Sequence, residues 1–426
     1  MSLRAGILVT GTEVLTGRVV DRNGPWCSEQ LRLLGIEHES TVVVGDRPAD
    51  MLAALEWMEA QGCGLIVTSG GLGPTADDKT AEIVGGFQGR TMVLDEELEA
   101  RIAAILERIT RRWPDVDLEA IREGNRKQAT VPEGSTILEP VGTAPGLVVP
   151  PTREGGTTVV VLPGPPRELK PMWGTAVQTA AFREATAGRS EIREEMLRLF
   201  GIPESEIAET LRRAQESGIG VDRLEITTCM RRGEIEVVTR YEPALQDEYD
   251  SLADFVAERH ADTLFSTDGT SIDDQVAGLL ARKGLTVAVA ESCTGGLLGG
   301  RLTEAAGASG YFAGGMIVYS NEAKMTLAGI DPEVLTEHGA VSAEVAAGLA
   351  EGARHALGAD VGVGVTGIAG PGGGSDEKPV GLVFLAVSDA RASIDRRVQL
   401  PGGRADIRDR ATTVAMHMLR ALLSGP

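Results

Sequence analysis

Four short runs in the first part of the chain, GILVT (6–10), TVVV (41–44), LIVTS (65–69) and TVVVL (158–162), are apolar at nearly every position. A strand with one face in water alternates apolar and polar residues, whereas a run without alternation must be covered on both faces. Between these runs Pro25 to Leu34 and Pro48 to Ala60 are patterned as helices, and Leu98, Ile102, Ile105, Leu106 and Ile109 recur at helical spacing. This alternation predicts an α/β fold, with a mainly parallel sheet between helices and ligands held in loops at the carboxyl ends of the strands. It returns from Ile272, with strands expected at TVAVA (286–290), GMIVYS (315–320), VGVGVT (361–366) and GLVFLAV (381–387). A last helix then places Ile407, Ala411, Val414, Ala415, Met418 and Leu422 on one face.

The middle of the chain reads differently. EEMLRLF (194–200), a helix opening at Ile202-Pro203-Glu204-Ser205, LEITTCM (224–230), a hairpin at Arg232-Gly233, IEVVTRY (235–241) and a helix through Phe255 give a β-α-β-β-α order. That order resembles a KH-type module, but the G-x-x-G loop is missing and the helices carry many acids, so a spacer or dimerisation element is expected. The predicted organisation is an α/β domain over 1–175, a KH-like α+β module over 176–262, a linker over 263–271 and a second α/β domain over 272–426.

The chain has 426 residues, and its acids exceed its bases by 21. That balance argues against direct nucleic-acid binding and against an anionic membrane surface. Cys27, Cys63, Cys229 and Cys293 are scattered without zinc spacing, as in reduced cytosolic proteins. The apolar run at the start is short for a signal peptide, and no run is long enough to span a bilayer, so a cytoplasmic protein is expected.

The densest chemistry lies in the C-terminal third. The strand at 286–290 runs into Glu291-Ser292-Cys293-Thr294-Gly295-Gly296 and then a helix start. A hydroxyl or thiol there sits beside backbone N–H donors able to stabilise an oxyanion, and Ser292, Cys293 and Thr294 each qualify as nucleophile; a polar turn with a helix cap is the plainer reading. The five histidines offer no suitable base. Lys324 follows another strand end, where burial would lower its pKa enough for a neutral amine to take a proton. A third strand end supplies Thr366, a hydrogen-bond donor, and the glycine-rich run Gly367-Ile368-Ala369-Gly370-Pro371.

AESCTGG (290–296), GGMIVYSNEAK (314–324), GAVS (339–342) and TGIAGPGGG (366–374) together resemble the C-terminal domain of the CinA family, the competence/damage-inducible proteins. The resemblance implies a nicotinamide mononucleotide (NMN) amidohydrolase that needs no cofactor. It implies a Ser292–Lys324 dyad, Tyr319 and Thr366 lining the site, and Thr294, Gly295, Gly296, Gly367 and Gly370 around the substrate. Arg404 and Arg408, in GGRADIRDRA (402–411), are candidates for the substrate phosphate.

In the N-terminal domain, LIVTSGGLGPTADDKT (65–80) reads as a buried strand ending at Ser69, a loop, and a helix start shaped by Pro74 and Thr75. Gly70, Gly71 and Gly73 permit close backbone approach to a phosphate. Asp78, three residues after Thr75, fits a capping box; Asp77 and Asp78 equally suit a divalent ion such as Mg²⁺. Asp21 and Asn23 end another strand-side loop. With GTEVLTGRVVDRN, GNRKQA (124–129), GTAPG (142–146) and LPGPPRE, the pattern resembles the N-terminal CinA domain, which is similar to molybdopterin-binding (MoaB/MogA-like) domains. This implies a site for ADP-ribose or a pterin, metal-dependent pyrophosphatase activity in some members, and a homodimer. The family name also suggests a competence or DNA-damage scaffold. Glu139-Pro140 departs from the usual Asn-Pro, and a carboxylate there would repel a pyrophosphate.

Overall fold

The computed structural model describes residues 3–110, 118–187, 189 and 191–425, in two units, Met1–Arg193 and Glu194–Pro426. The first unit holds a six-stranded sheet in the order Glu37–Val44, Arg4–Thr10, Leu65–Ser69, Thr158–Leu162, Gly146–Val149 and Thr136–Leu138. The first four strands are parallel and the last two turn back antiparallel. Alternate residues of each apolar run feed opposite cores. Ile7, Val9, Leu65, Val67, Val160 and Leu162 face one side with Leu31, Trp173 and Phe182. Leu8, Ile66, Val159 and Val161 face the other with Leu55, Met58, Leu98 and Ile102. The last two complete part of the helical stripe; the Ile109 side chain lies outside the described residues. Because Phe182 is part of this core, the unit continues past the expected boundary at 175.

The second unit opens with an α+β module whose sheet runs Glu225–Arg231, Glu234–Tyr241, Arg193–Phe200, Leu264–Ser266. Helices Glu204–Glu216 and Gln246–Arg259 bury Ile207, Ala214, Leu252 and Val256 against Leu197, Leu199, Ile235 and Val237. The fourth strand lies inside the expected 263–271 linker. Leu264 packs on the module core while Phe265 is buried in the core of the domain that follows, so this segment is stitched to both sides.

The C-terminal domain carries the order Phe312–Ile317, Val287–Glu291, Val361–Gly367, Leu382–Ser388, Ser393–Gln399. Its first three strands pair in parallel, as expected, and the last two are added at one edge in antiparallel pairing. The reason is local: no helix separates Gly367 from Leu382, and a parallel return needs a crossover. Among the described residues no helix is long and apolar enough to cross a membrane.

Candidate functional site

In the C-terminal sheet, strand Val287–Glu291 lies between its sequence successors, Phe312–Ile317 on one side and Val361–Gly367 on the other, so the strand order reverses at it. The crevice outside such a strand end is where open α/β sheets hold ligands. Ser292 stands there, tied by its N–H to the Val365 carbonyl at 2.9 Å. From the neighbouring strand end comes helix Asn321–Ala328, capped by the Ser320 hydroxyl, and its first turn aims Lys324 inward. The Lys324 side chain is only 1% exposed, and its Nζ donates to Ser292 Oγ at 3.1 Å, to the Val318 carbonyl at 2.9 Å and to the Tyr319 carbonyl at 3.2 Å. Both carbonyls can only accept, and no carboxylate meets this amine among its hydrogen-bond partners. Burial therefore pushes the lysine pKa down.

Of the three candidate side chains the motif offers, Ser292 is the one in hydrogen-bond contact with this amine. Burial drives the Cys293 thiol up to about 11, which keeps it protonated near neutrality. Thr294 is fully buried with its hydroxyl unpartnered, and it contacts no base.

Glu291 is a residue that the sequence pattern did not mark. It is almost wholly buried, and its carboxylate accepts the N–H groups of Gly296 at 3.0 Å, Leu298 at 3.1 Å and Gly299 at 2.8 Å. The amides at the start of helix Leu297–Leu302, expected to serve an oxyanion, are thus taken by Glu291. A charge at the end of an apolar strand was the available signal, since a buried carboxylate needs donors of this kind.

The remaining C-terminal candidates divide. The Thr366 hydroxyl donates to the Ala340 carbonyl at 2.6 Å, so it fixes the GAVS segment beside the site. Tyr319 is 60% exposed, and its phenol accepts from Arg404, whose guanidinium also donates to the Gly370 carbonyl at 2.8 Å. Arg404 therefore stands on the rim with its side chain in solvent. Arg408 is placed otherwise than a free phosphate ligand. Its Nε donates to the Cys293 carbonyl at 3.0 Å and a terminal nitrogen to the Thr294 carbonyl at 2.7 Å, so it holds the loop that follows Ser292. The Gly295 and Gly296 backbones are both left-handed, with φ of 58° and 96°, which lets this loop turn into the helix. A Cβ on Gly367 would meet the Leu382 carbonyl at 2.8 Å, so that glycine serves strand packing.

The N-terminal unit repeats the strand arrangement with a wider opening. A cleft of about 860 Å³ lies over the ends of Arg4–Thr10, Leu65–Ser69 and Thr158–Leu162. Asp21, Asn23, Ser69, Gly70, Gly71, Gly73, Asp77 and Asp78 all line it. Asp21 Oδ1 accepts the N–H groups of Asn23 and Gly24, both at 2.9 Å, and so caps helix Asn23–Leu33. Asn23 donates to Ser69 Oγ at 2.8 Å and to the Gly164 carbonyl at 2.6 Å, leaving its own oxygen buried and unpartnered. Glu13, Asp21, Asp46, Asp77, Asp78 and Glu168 face Arg18 and Arg22 across this cleft, so its charge is negative.

The helix expected to start at Thr75 begins at Thr80 instead. Thr75 to Asp78 forms a turn: the Thr75 N–H donates to Asp78 Oδ2 at 3.0 Å, and its hydroxyl lies 2.5 Å from both Asp77 Oδ1 and Asp78 Oδ2. The hydroxyl holds the Asp77 carboxyl below its ordinary range. Lys127, another residue the motifs left unassigned, donates to the Thr75 carbonyl. Among the described residues no group of three or more His, Cys, Asp or Glu is disposed to hold an ion. The oxygens of Asp77, Asp78 and Thr75 nonetheless suit a hard cation that keeps waters and takes further oxygens from a phosphate. Glu139 is absent from the cleft lining; it is 69% exposed and faces Arg101 at 3.5 Å.

Two family models match this chain. Residues 269–423 match the model of the CinA C-terminal domain, and residues 6–182 match a probable molybdopterin binding domain. The chain is 58% identical over 425 residues to a CinA-like protein of Mycobacterium sp. strain JLS, covering 99% of each. It is 57% identical over 426 residues to a CinA-like protein of Mycolicibacterium gilvum, covering 100% of each. The crystal structure of competence/damage inducible protein CihA from Agrobacterium tumefaciens is 42% identical, covering 37% of this chain and 99% of that one, with a TM-score of 0.35.

Proposed function

The chain belongs to the CinA family, and on that premise we propose that it is a cytoplasmic amidohydrolase of nicotinamide mononucleotide, yielding nicotinate mononucleotide and ammonia. The observation that carries the reading is the contact of a buried, carboxylate-free lysine with Ser292 Oγ at 3.1 Å. In its neutral form Lys324 takes the Ser292 proton as Oγ attacks the carboxamide carbon. The C–N bond then breaks, the amine leaving with the proton carried by Lys324. Water, deprotonated by the same lysine, attacks the acyl-serine and releases the carboxylate. Tyr319, exposed beside the strand end, offers a ring face to the cationic pyridine, and Arg404 offers free N–H groups to the phosphate on the rim.

For the N-terminal cleft we propose a nucleotide pyrophosphate such as ADP-ribose, bound with a divalent cation. A negative cleft over phosphate-sized glycine loops supports that pairing, since its carboxylates outnumber the arginines, Arg18 and Arg22, that a pyrophosphate would otherwise meet. Asp77 and Asp78 would hold the cation, which would neutralise developing phosphate charge. Asp21 fixes the loop bearing Asn23, whose free oxygen accepts a ligand N–H or hydroxyl. A pterin bound without turnover is the competing use of this cleft, and a homodimer is the assembly proposed with it.

Product analysis after incubation with NMN, and separately with ADP-ribose plus Mg²⁺, tests both halves. Nicotinate mononucleotide and ammonia are expected from the first and AMP with ribose phosphate from the second. Intact NMN would overturn the amidohydrolase reading. Intact ADP-ribose would favour binding alone.

A further inference from the structure

The α+β module has no chemistry of its own, yet its hairpin reaches the helix that holds the nucleophile loop. Helix Arg404–Ser424 grips that loop region twice. Arg408 holds the carbonyls of Cys293 and Thr294, and Thr412 and Thr413 accept from the buried Arg301 at 3.2 and 2.8 Å. Arg301 ends the short helix that Ser292 leads into, and Asp273 holds its other edge at 2.6 and 2.8 Å. The same stretch of helix receives the module. Glu234 Oε1 lies 2.7 Å from His417 Nε2, both residues being buried, and the Phe200 ring stacks on the imidazole at 3.8 Å with Phe265 edge-on at 4.6 Å. Burial, outweighing Glu234, pulls the His417 pKa down.

The hairpin tip is bent for this contact. Arg232 is the non-glycine residue with positive φ among the described residues, at 54°, followed by Gly233 at 88°. Asn or Asp would be favoured at that place in a two-residue turn. Arg232 instead reaches Asp409 at 3.7 Å, next to Arg408. An unfavoured residue kept at a turn, with its charge aimed at the neighbouring domain, is a reason to look for function there.

We propose that Glu234 is a positioning residue for the C-terminal site: the hairpin fixes helix 404–424 against the nucleophile loop and so holds Ser292 in register with Lys324. This rests on the amidohydrolase reading for its kinetic test but on contacts alone for its structural one. In the full-length chain, Glu234→Ala is expected to lower kcat for NMN about tenfold with KM nearly unchanged, and to speed amide exchange over residues 293–302. Glu234→Gln keeps an acceptor for the imidazole N–H and is expected to restore kcat to within about twofold. Arg232→Gly relieves the positive φ, so it should fold at least as well, yet lower kcat about two- to threefold. Unchanged kcat and unchanged exchange over 293–302 in Glu234→Ala would overturn the proposal. Should the unmodified chain leave NMN intact, the amidohydrolase reading fails, and exchange over 293–302 still decides the positioning role.

Discussion

Strands Arg4–Thr10 and Val287–Glu291 hold the same place in their sheets, each flanked by the next two strands of its own unit. Both therefore end in the crevice that α/β sheets use for ligands. Their contents differ. After Glu291 comes a tight loop in which serine, lysine and a capped helix are already within bonding distance. After Thr10 comes a cleft of about 860 Å³ walled by carboxylates with no amine at its centre. On the proposed reading, one site presents its base and nucleophile before substrate arrives. The other, on the same reading, offers oxygen ligands that would need a cation to serve a phosphate. Shared topology thus fixes where chemistry happens, and a handful of strand-end residues decides which chemistry it is.

The sharpest way to break this contrast is to remove the nucleophile. Ser292→Ala should cost on the order of 10³-fold or more in kcat, because a cooperating pair fails as a unit. Cys293→Ala should cost far less, the thiol being held protonated at about 11. A dead Cys293→Ala beside an active Ser292→Ala, both folded, would reverse the assignment.

Lys324 tests preorganisation from a second side. Its folded pKa lies below the ordinary 10.5, so activity should rise with pH through that lowered value as the amine becomes free to accept. Lys324→Arg should be inactive, since arginine stays charged. Stability carries the opposite sign. Below the ordinary value the unfolded chain binds a proton that the buried lysine resists, so this group costs stability at neutral pH and the cost fades as pH rises toward 10.5. Lys324→Met should be catalytically dead yet melt at a higher temperature at pH 7, as thermal denaturation would read. A lower melting temperature would mean that the amine is held as a charged structural group.

The N-terminal half answers to charge. Replacing Asp77 and Asp78 with Asn keeps their shape and removes the negative charge, so metal-dependent turnover of ADP-ribose should fall about a hundredfold. The Thr75 turn keeps acceptors in that variant, so the melting temperature should fall only slightly. Undiminished Mg²⁺-dependent hydrolysis would remove these aspartates from the site.

How much of this could be read beforehand follows from where each contact originates. The buried strands were legible because covering both faces removes the apolar–polar alternation, as in LIVTS and TVVVL. Ser292 and Lys324 were legible as residues at two strand ends that the fold makes neighbours. Glu291 was not, because its burial depends on helix amides that exist only after the loop has turned. Arg408 read as a candidate for the substrate phosphate because its partners are backbone carbonyls, which leave no mark in sequence. The Leu264–Ser266 strand was hidden for a similar reason: its short polar surroundings look like linker, and only pairing with Leu199 makes it a strand. The helix start at Thr80 rather than Thr75 shows the same limit, since Asp77 and Asp78 draw the Thr75 hydroxyl into a turn of their own.

The smallest effect concerns Glu139, where sequence and geometry disagree most directly. A carboxylate beside the GTAPG loop should repel a pyrophosphate if it faces the cleft. It is turned away instead, largely solvated and opposite Arg101 at 3.5 Å. At that exposure its field on a ligand is screened within about 10 Å. If the proposed cleft carboxylates govern phosphate binding, Glu139→Asn should leave both the KM for ADP-ribose and its Mg²⁺ requirement within about twofold, with stability inside ~0.5 kcal/mol. A KM that falls tenfold in Glu139→Asn, read at low salt, would place this side chain in the ligand's path. The cleft's selectivity would then depend on a loop rather than on the strand ends.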